Sequence, residues 1–494
     1  MICVLQFDAA SVAVLERMLE AGRLPALAAL RERGWRTELK TPAVDFAAGA
    51  FHTLYSGVEL GDHGLFYPFQ FVPSDQRVRY ATALDAPPAI WERLAAGGLS
   101  TLALDPYESR PPRVWRGKLA CGVGFRDRVV LPRWTLPHNA GRTAPAGPQA
   151  TEIFGRPSAS ELMRLREKLL AAPGRVADAA LRMLGTERFD LVWITFPAAH
   201  LAGHQFWDLS QLEEGGDAAE RDVLAGALEE VYTAVDAALG RIVARLPEGA
   251  DVVVTSAVGM DVNTSRADLL PGMLARVLAG GPIADGTAGS IWRLRAAVPA
   301  RARRAIAAGL PDRLALELTA RLELRGVDFA RVPAFAHPAD NQGYIRLNLA
   351  GRERDGIVGA AEADSVVAQI VAGLAEFRDP DGAPAVASVE RTSELYPGER
   401  ADWLPDLVVR WSDRPATLFD GVVSERFGEV RRAGAGSGRS GNHTPGDAWA
   451  VIAPGASRRA VPVRPPVLAD VAATIAAVTG ADAAGIAGEP LLQR

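Results

Sequence analysis

Two histidines four residues apart, in "PAAHLAGHQFWDL" (197–209), follow directly on the apolar run "FDLVWITF". On a helix, side chains at i and i+4 share a face, so His200 and His204 can reach one metal ion. Imidazole is a neutral nitrogen ligand that suits zinc, and also iron, copper, cobalt or nickel. Histidines on helices also cap and pack, so a pair becomes a metal site only if a further ligand reaches it. The late stretch "SGNHTPG" offers one, His443.

Residues this far apart meet only if the fold gathers them. Short β-rich runs alternate with helical patterns: "ICVLQF" (2–7) before "SVAVLERMLEAG", "STLALD" (100–105) after "AIWERLAAGG", and "DVVVTS" (251–256) after a long helical pattern over 220–246. This alternation predicts an α/β fold with a largely parallel central sheet flanked by helices. Several runs are apolar throughout, as strands covered on both faces should be. Ligand sites in such sheets collect at the carboxyl ends of strands. Taken in chain order, those ends are Asp8, the His200/His204 pair, "SAVGM" (256–260) and, late in the chain, His443.

At 494 residues the chain exceeds one ordinary core, so a large domain with insertions is expected. The α/β core is placed at 1–284 and 341–494, with a loop insertion near 106–160 and a helical insertion or cap at 285–340. The Pro/Gly-rich segment 135–150 reads as exposed loop, and the basic stretch 301–313 as an amphipathic helix with a solvated face. A net charge of −5 and a pI near 5.9 argue against a phosphate-coating surface, hence against nucleic acid as partner. Two cysteines, Cys3 and Cys121, are too few for a disulfide framework or a thiolate metal site. No stretch is long and apolar enough to span a bilayer, and the N-terminus has no signal-like pattern. A cytoplasmic protein acting on a small-molecule substrate, without membrane association, is the expectation; the oligomeric state is left open.

The order of acid, histidine pair, short Gly turn and late histidine resembles the alkaline phosphatase superfamily, closest to its type I phosphodiesterase/nucleotide pyrophosphatase branch. "FDAASVAVLERMLEAGRLPALAALRERG" is similar to the family's opening strand, acidic ligand and helix. "AFHTLYSGVELGDHGLF" resembles its nucleophile helix and the turn after it, and "GYIRLNLAGRERDGIV" and "ELYPGERADWLPDLVV" its later sheet segments. The resemblance implies two metals, usually zinc. One is held by an Asp-x-x-x-His pair and a late His, the other by the early Asp, a Thr/Ser nucleophile and an Asp-His pair.

Departures from that pattern carry the functional expectation. Ala47 stands where the resemblance places the nucleophile, and Ala257 and Val258 where it places the second Asp-His pair. Asp8 alone survives from the second metal's ligands, so that site is expected to be empty. At the first site His200 replaces the Asp, giving a three-histidine centre of His200, His204 and His443 with an open position. One divalent metal there, zinc first, would activate water or polarise a substrate without a covalent intermediate. Asp8 and Asp45 are the candidate catalytic carboxylates. The bland alternatives are an N-cap role for Asp8 and a solvated loop position for Asp45. His63 reads as structural and His52 as a satisfied helix histidine; His337 is a possible arrival from the cap, and His138 has no assigned role. Two other functions stay open: a pseudoenzyme that binds a ligand or partner, and lyase or redox chemistry at the metal.

Overall fold

In the computed structural model the described residues are all except 82–83, 127–146, 149–151, 214–216, 283–309, 325, 340, 433–437, 457, 461–463 and 494. Eleven strands build its two larger sheets. They are β1 (Ile2–Phe7), β2 (Trp35–Leu39), β3 (Thr101–Leu104), β4 (Gly117–Ala120), β5 (Leu191–Phe196), β6 (Asp251–Ser256), β7 (Ala334–His337), β8 (Gly343–Leu347), β9 (Val386–Arg391), β10 (Leu407–Trp411) and β11 (Ala448–Ala453).

The central sheet has seven strands in the order β2-β11-β6-β1-β5-β3-β4. β1 pairs in parallel with β5 on one side and β6 on the other, while β11 runs antiparallel between β6 and β2. Every residue of β1, β5 and β6 is buried, because helices cover both faces. Alternate residues of β1 serve the two layers. Cys3, Leu5 and Phe7 pack against helices Val12–Glu20, Ala159–Leu184 and Ala227–Val243, and Ile2 and Val4 against helices Ala47–Ser56, Ile90–Ala96 and Asp470–Thr479. Truncating one such side chain, Leu5→Ala, would cost roughly 2–5 kcal/mol. The predicted helix over 220–246 forms as two, Ala218–Ala225 and Ala227–Val243, which meet at Gly226.

A second, antiparallel sheet, β7-β8-β10-β9, has its own core with helices Leu270–Ala279 and Ala360–Leu374. Two sequence expectations are corrected here. The segment 285–340 does not stay helical to its end. It includes the helix Asp312–Leu322 but closes as β7, where Ala334 and Phe335 bury against β8. The insertion near 106–160 is not all loop, since Gly117–Ala120 extends the central sheet beside β3. Residues 283–309 and nearly all of 135–150 lie outside the described residues, and His138 with them. Among the described residues no helix is long and apolar enough to cross a membrane.

Candidate metal centre

The carboxyl ends of β1, β5 and β6 lie side by side, and the reversal of strand order across β1 opens a crevice at that end. β5 runs directly into helix Ala198–Phe206, which carries His200 and His204 on one face. His443 arrives by a different route. β11 is antiparallel to β6 and starts beside its last residue, Trp449 opposite Ser256, so the chain just ahead of β11 is delivered to the same end. The approach is close because two glycines face each other. A Cβ at Gly441 would lie 2.3 Å from the Gly203 carbonyl oxygen, and Ser440 N–H donates to His204 O at 2.9 Å.

The three imidazoles converge. His200 Nε2 is 3.1 Å from His204 Nε2 and 3.0 Å from His443 Nε2. Each outward nitrogen faces an oxygen that accepts, the two backbone carbonyls always and the Asp8 carboxyl when ionised. His200 Nδ1 is 2.9 Å from Asp8 Oδ2, His204 Nδ1 is 2.9 Å from Gly441 O, and His443 Nδ1 is 2.8 Å from Gly259 O. With Asp8 ionised, all three Nδ1 atoms therefore carry the hydrogen, and the neutral rings point three Nε2 lone pairs at one another. Lone pairs packed this tightly repel unless a cation sits among them. The separations approach the roughly 3.3 Å edge of a tetrahedron with Zn–N bonds of about 2.0 Å. A proton is a poor substitute: burial, with Arg439 and the two neighbouring rings adding to it, holds His204 well below the usual imidazole range. The donor set thus fits a divalent metal. Among the described residues it is the one group of His, Cys, Asp or Glu so placed, and no fourth such side chain joins it.

Burial is nearly complete, with His200 5% exposed and His204 and His443 3%. Tyr107 forms one wall, its ring 4.5 Å from that of His200. Asp8 does not cap the first helix; Ser11 does, accepting from Val14 N–H. Burial pushes the Asp8 carboxyl up to about 7, opposed by the Gln6 amide and by His443. Its Oδ1 accepts from Gln6 and its Oδ2 from His200, which makes it an orienting group in contact with a ligand.

The other candidates lie elsewhere. Asp45 is fully buried, against the solvated-loop reading, and both its oxygens are engaged by Arg410 and one by Tyr396, none of them part of the histidine cluster. His337 is locked by Phe71 N–H on Nε2 and by Pro338 O on Nδ1. His63 accepts from Leu65 N–H and meets Thr53 Oγ1, a structural role as expected. His52 lines a separate small cavity with Arg110 and Ser109. Ala47 starts the helix Ala47–Ser56 and packs in one apolar cluster with Ala257, Val258 and Met260. Sequence reasoning did not single out Gln6, Gly259 or Gly441. The last two act through backbone carbonyls, which carry no side-chain signature.

The sequence matches the family model "Type I phosphodiesterase / nucleotide pyrophosphatase" over residues 2–419. The chain belongs to this family. No curated protein matches it. Among solved structures it is similar to phosphonoacetate hydrolase from Sinorhizobium meliloti 1021 in complex with phosphonoformate, at 15% identity and a TM-score of 0.48, covering 97% of this chain and 95% of that one. It is also similar to murine ectonucleotide pyrophosphatase/phosphodiesterase 5, as an inactive variant in complex with AMP, at 11% identity and a TM-score of 0.48, covering 99% and 97%. The human form of that protein matches at 9% identity and a TM-score of 0.45, covering 97% and 95%. The phosphodiesterase/pyrophosphatase family places the chain in the alkaline phosphatase superfamily, a hydrolase scaffold that acts on small molecules with metal ions.

Proposed function

We propose that this family member is a single-metal hydrolase in which His200, His204 and His443 hold one divalent cation, zinc first. The observation that carries this reading is the convergence of three Nε2 lone pairs whose Nδ1 hydrogens are all committed to oxygen acceptors. When bound, the ion supplies Lewis acidity where those lone pairs meet. Three neutral ligands leave its charge uncancelled, and Asp8 offsets one unit of it through His200. The centre then suits a substrate with one negative charge, such as a small phosphodiester, better than a dianionic phosphomonoester.

Ala47 has no atom that can attack, so the chain cannot form a covalent intermediate at that position, and water must attack the substrate directly. Asp8 fixes the ring of His200 rather than acting as a free base, since both its oxygens accept hydrogen bonds. Tyr107 and the apolar cluster around Ala47 restrict water around the reacting group.

Metal analysis of protein purified without a histidine tag tests the centre. One equivalent of divalent metal is expected, lost in the His200→Ala, His204→Ala, His443→Ala triple variant. Undiminished metal in that variant would refute the site. Hydrolysis of a bis(aryl) phosphate, absent after His204→Ala, is the expected activity. The near-complete burial of the rings favours a second reading, a closed centre in a ligand-binding pseudoenzyme. A cobalt-substituted protein whose visible spectrum ignores azide, together with no turnover of the diester, would decide for it.

A further inference from the structure

Gln6 is a polar side chain inside an apolar strand, fully buried between β5 and β6. An amide there is costly unless it is satisfied. Its Oε1 lies 3.2 Å from Trp193 Nε1, Thr195 Oγ1 and the Tyr55 hydroxyl. The single Tyr55 proton has a shorter partner in Tyr107 O, at 2.6 Å. Trp193 therefore decides the orientation: an indole N–H can only donate, so the oxygen end of Gln6 must face it. The Nε2 end is then turned to Asp8 and donates to Oδ1 at 3.1 Å, while Asp8 Oδ2 accepts from His200 Nδ1.

We propose that Gln6 is a positioning residue that makes a carboxylate at position 8 the condition for the Nδ1–H tautomer of His200. Trp193 fixes the amide of Gln6, and that amide fixes which side of residue 8 must accept. Only a carboxylate accepts on both sides, from Gln6 and from His200, and so holds His200 in the Nδ1–H form with the Nε2 lone pair aimed at the centre. The purpose of the arrangement rests on the metal reading above, but the tautomer is a property of the polypeptide itself.

Asp8→Asn exposes the control. With Gln6 present, the new amide must turn its oxygen to Gln6 and its NH2 to His200 Nδ1. That nitrogen must then accept, the ring hydrogen moves to Nε2, and the lone pair leaves the centre. Adding Gln6→Glu reverses this. One carboxylate oxygen at position 6 keeps Trp193, and the other accepts the NH2 at position 8, whose oxygen returns to His200. The double substitution leaves the net charge of the wild type unchanged.

Two-bond proton–nitrogen NMR of the metal-free protein at alkaline pH reads the tautomer, and competition with a chelator reads zinc affinity. The wild type is expected as Nδ1–H. Asp8→Asn is expected as Nε2–H with zinc bound about 10–100-fold more weakly. The double variant is expected to recover Nδ1–H and most of the affinity. Should the double variant not fold, Gln6→Met added to Asp8→Asn removes the donor that forces the amide's orientation, and an Nδ1–H population should reappear. An Asp8→Asn protein that keeps Nδ1–H, or a folded second-site variant that stays Nε2–H, overturns the proposal. The expected tautomers in a wild type that binds no zinc would support it and sink the metal reading alone.

Discussion

Arg410 closes a two-pronged ion pair on Asp45, Nε 2.7 Å from Oδ1 and Nη2 2.8 Å from Oδ2, with Asp45 fully buried. Arg410 lies on β10 of the second sheet and Asp45 two residues before Ala47, so the pair ties that sheet to the start of the helix Ala47–Ser56. Tyr344 and Gln342 strengthen the junction by donating to Asp45 O and Val44 O.

Asp45→Asn should therefore destabilise the fold and leave metal stoichiometry at the wild-type value. Breaking a buried pair costs roughly 3–5 kcal/mol, and the loss here should be nearer 2 kcal/mol because Arg410 can rehydrate. Its side chain is 31% exposed. Denaturant titration beside metal analysis checks both halves; loss of metal with unchanged stability would put Asp45 back in the site.

Gly441→Ala should damage the centre without touching a ligand. Its Cβ would clash with Gly203 O and push away the carbonyl that holds His204 Nδ1. Overpacking of this kind costs about 1–3 kcal/mol, and zinc affinity should fall by about tenfold. Wild-type affinity by chelator competition would contradict the close approach.

Ala47→Thr should not produce a phosphoenzyme. A hydroxyl there would join an apolar cluster that contains Ala257, Val258 and Met260, none of which can hold a second ion. Phosphate label trapped on this variant would show the reasoning to be wrong.

Acid should weaken the fold through histidines outside the centre. Burial pushes His337 down to about 3 and His52 down to about 4, and lowers His63 as well. In the unfolded chain such rings take a proton near pH ~6.5, so between these values the unfolded state binds more protons. Stability is full above pH ~6.5 and is lost as pH falls towards the folded values, by on the order of 1–2 kcal/mol from His337 between pH 7 and 5. His337→Gln keeps an acceptor for Phe71 N–H and should flatten the dependence of Tm on pH; an unchanged slope would acquit His337.

Asp8, His200 and His204 were legible because each follows a strand whose apolar run and direction set where its end must lie, whereas His443 precedes β11 and was found through the family resemblance. Four of the expected strands formed within a residue or two, since burial on both faces leaves an unmistakable run of apolar residues. The second sheet was legible only in part: β8 and β10 lie in the stretches that resemble later sheet segments, but β9, "VASVER", is half-polar and takes its place only by pairing with β10. The same holds for Asp45, whose partners lie 351 and 365 residues away. Gln6 was not singled out, because the donors that satisfy it come from other elements.

The reversed strand β11 also orders the birth of the molecule. β2 has no neighbour in the central sheet except β11, so a nascent chain holds β2 unpaired until residue 453 has been made. The same edge of β6 stays bare over that interval. Such open edges invite pairing with other chains, so synthesis passes through an aggregation-exposed stage that a chaperone would shield. His443 is made just ahead of β11, so the three-histidine cluster lacks its third member until the sheet is ready to close. The cluster is thereby completed by the strand made last in the central sheet, so its assembly marks the closed sheet and no earlier stage.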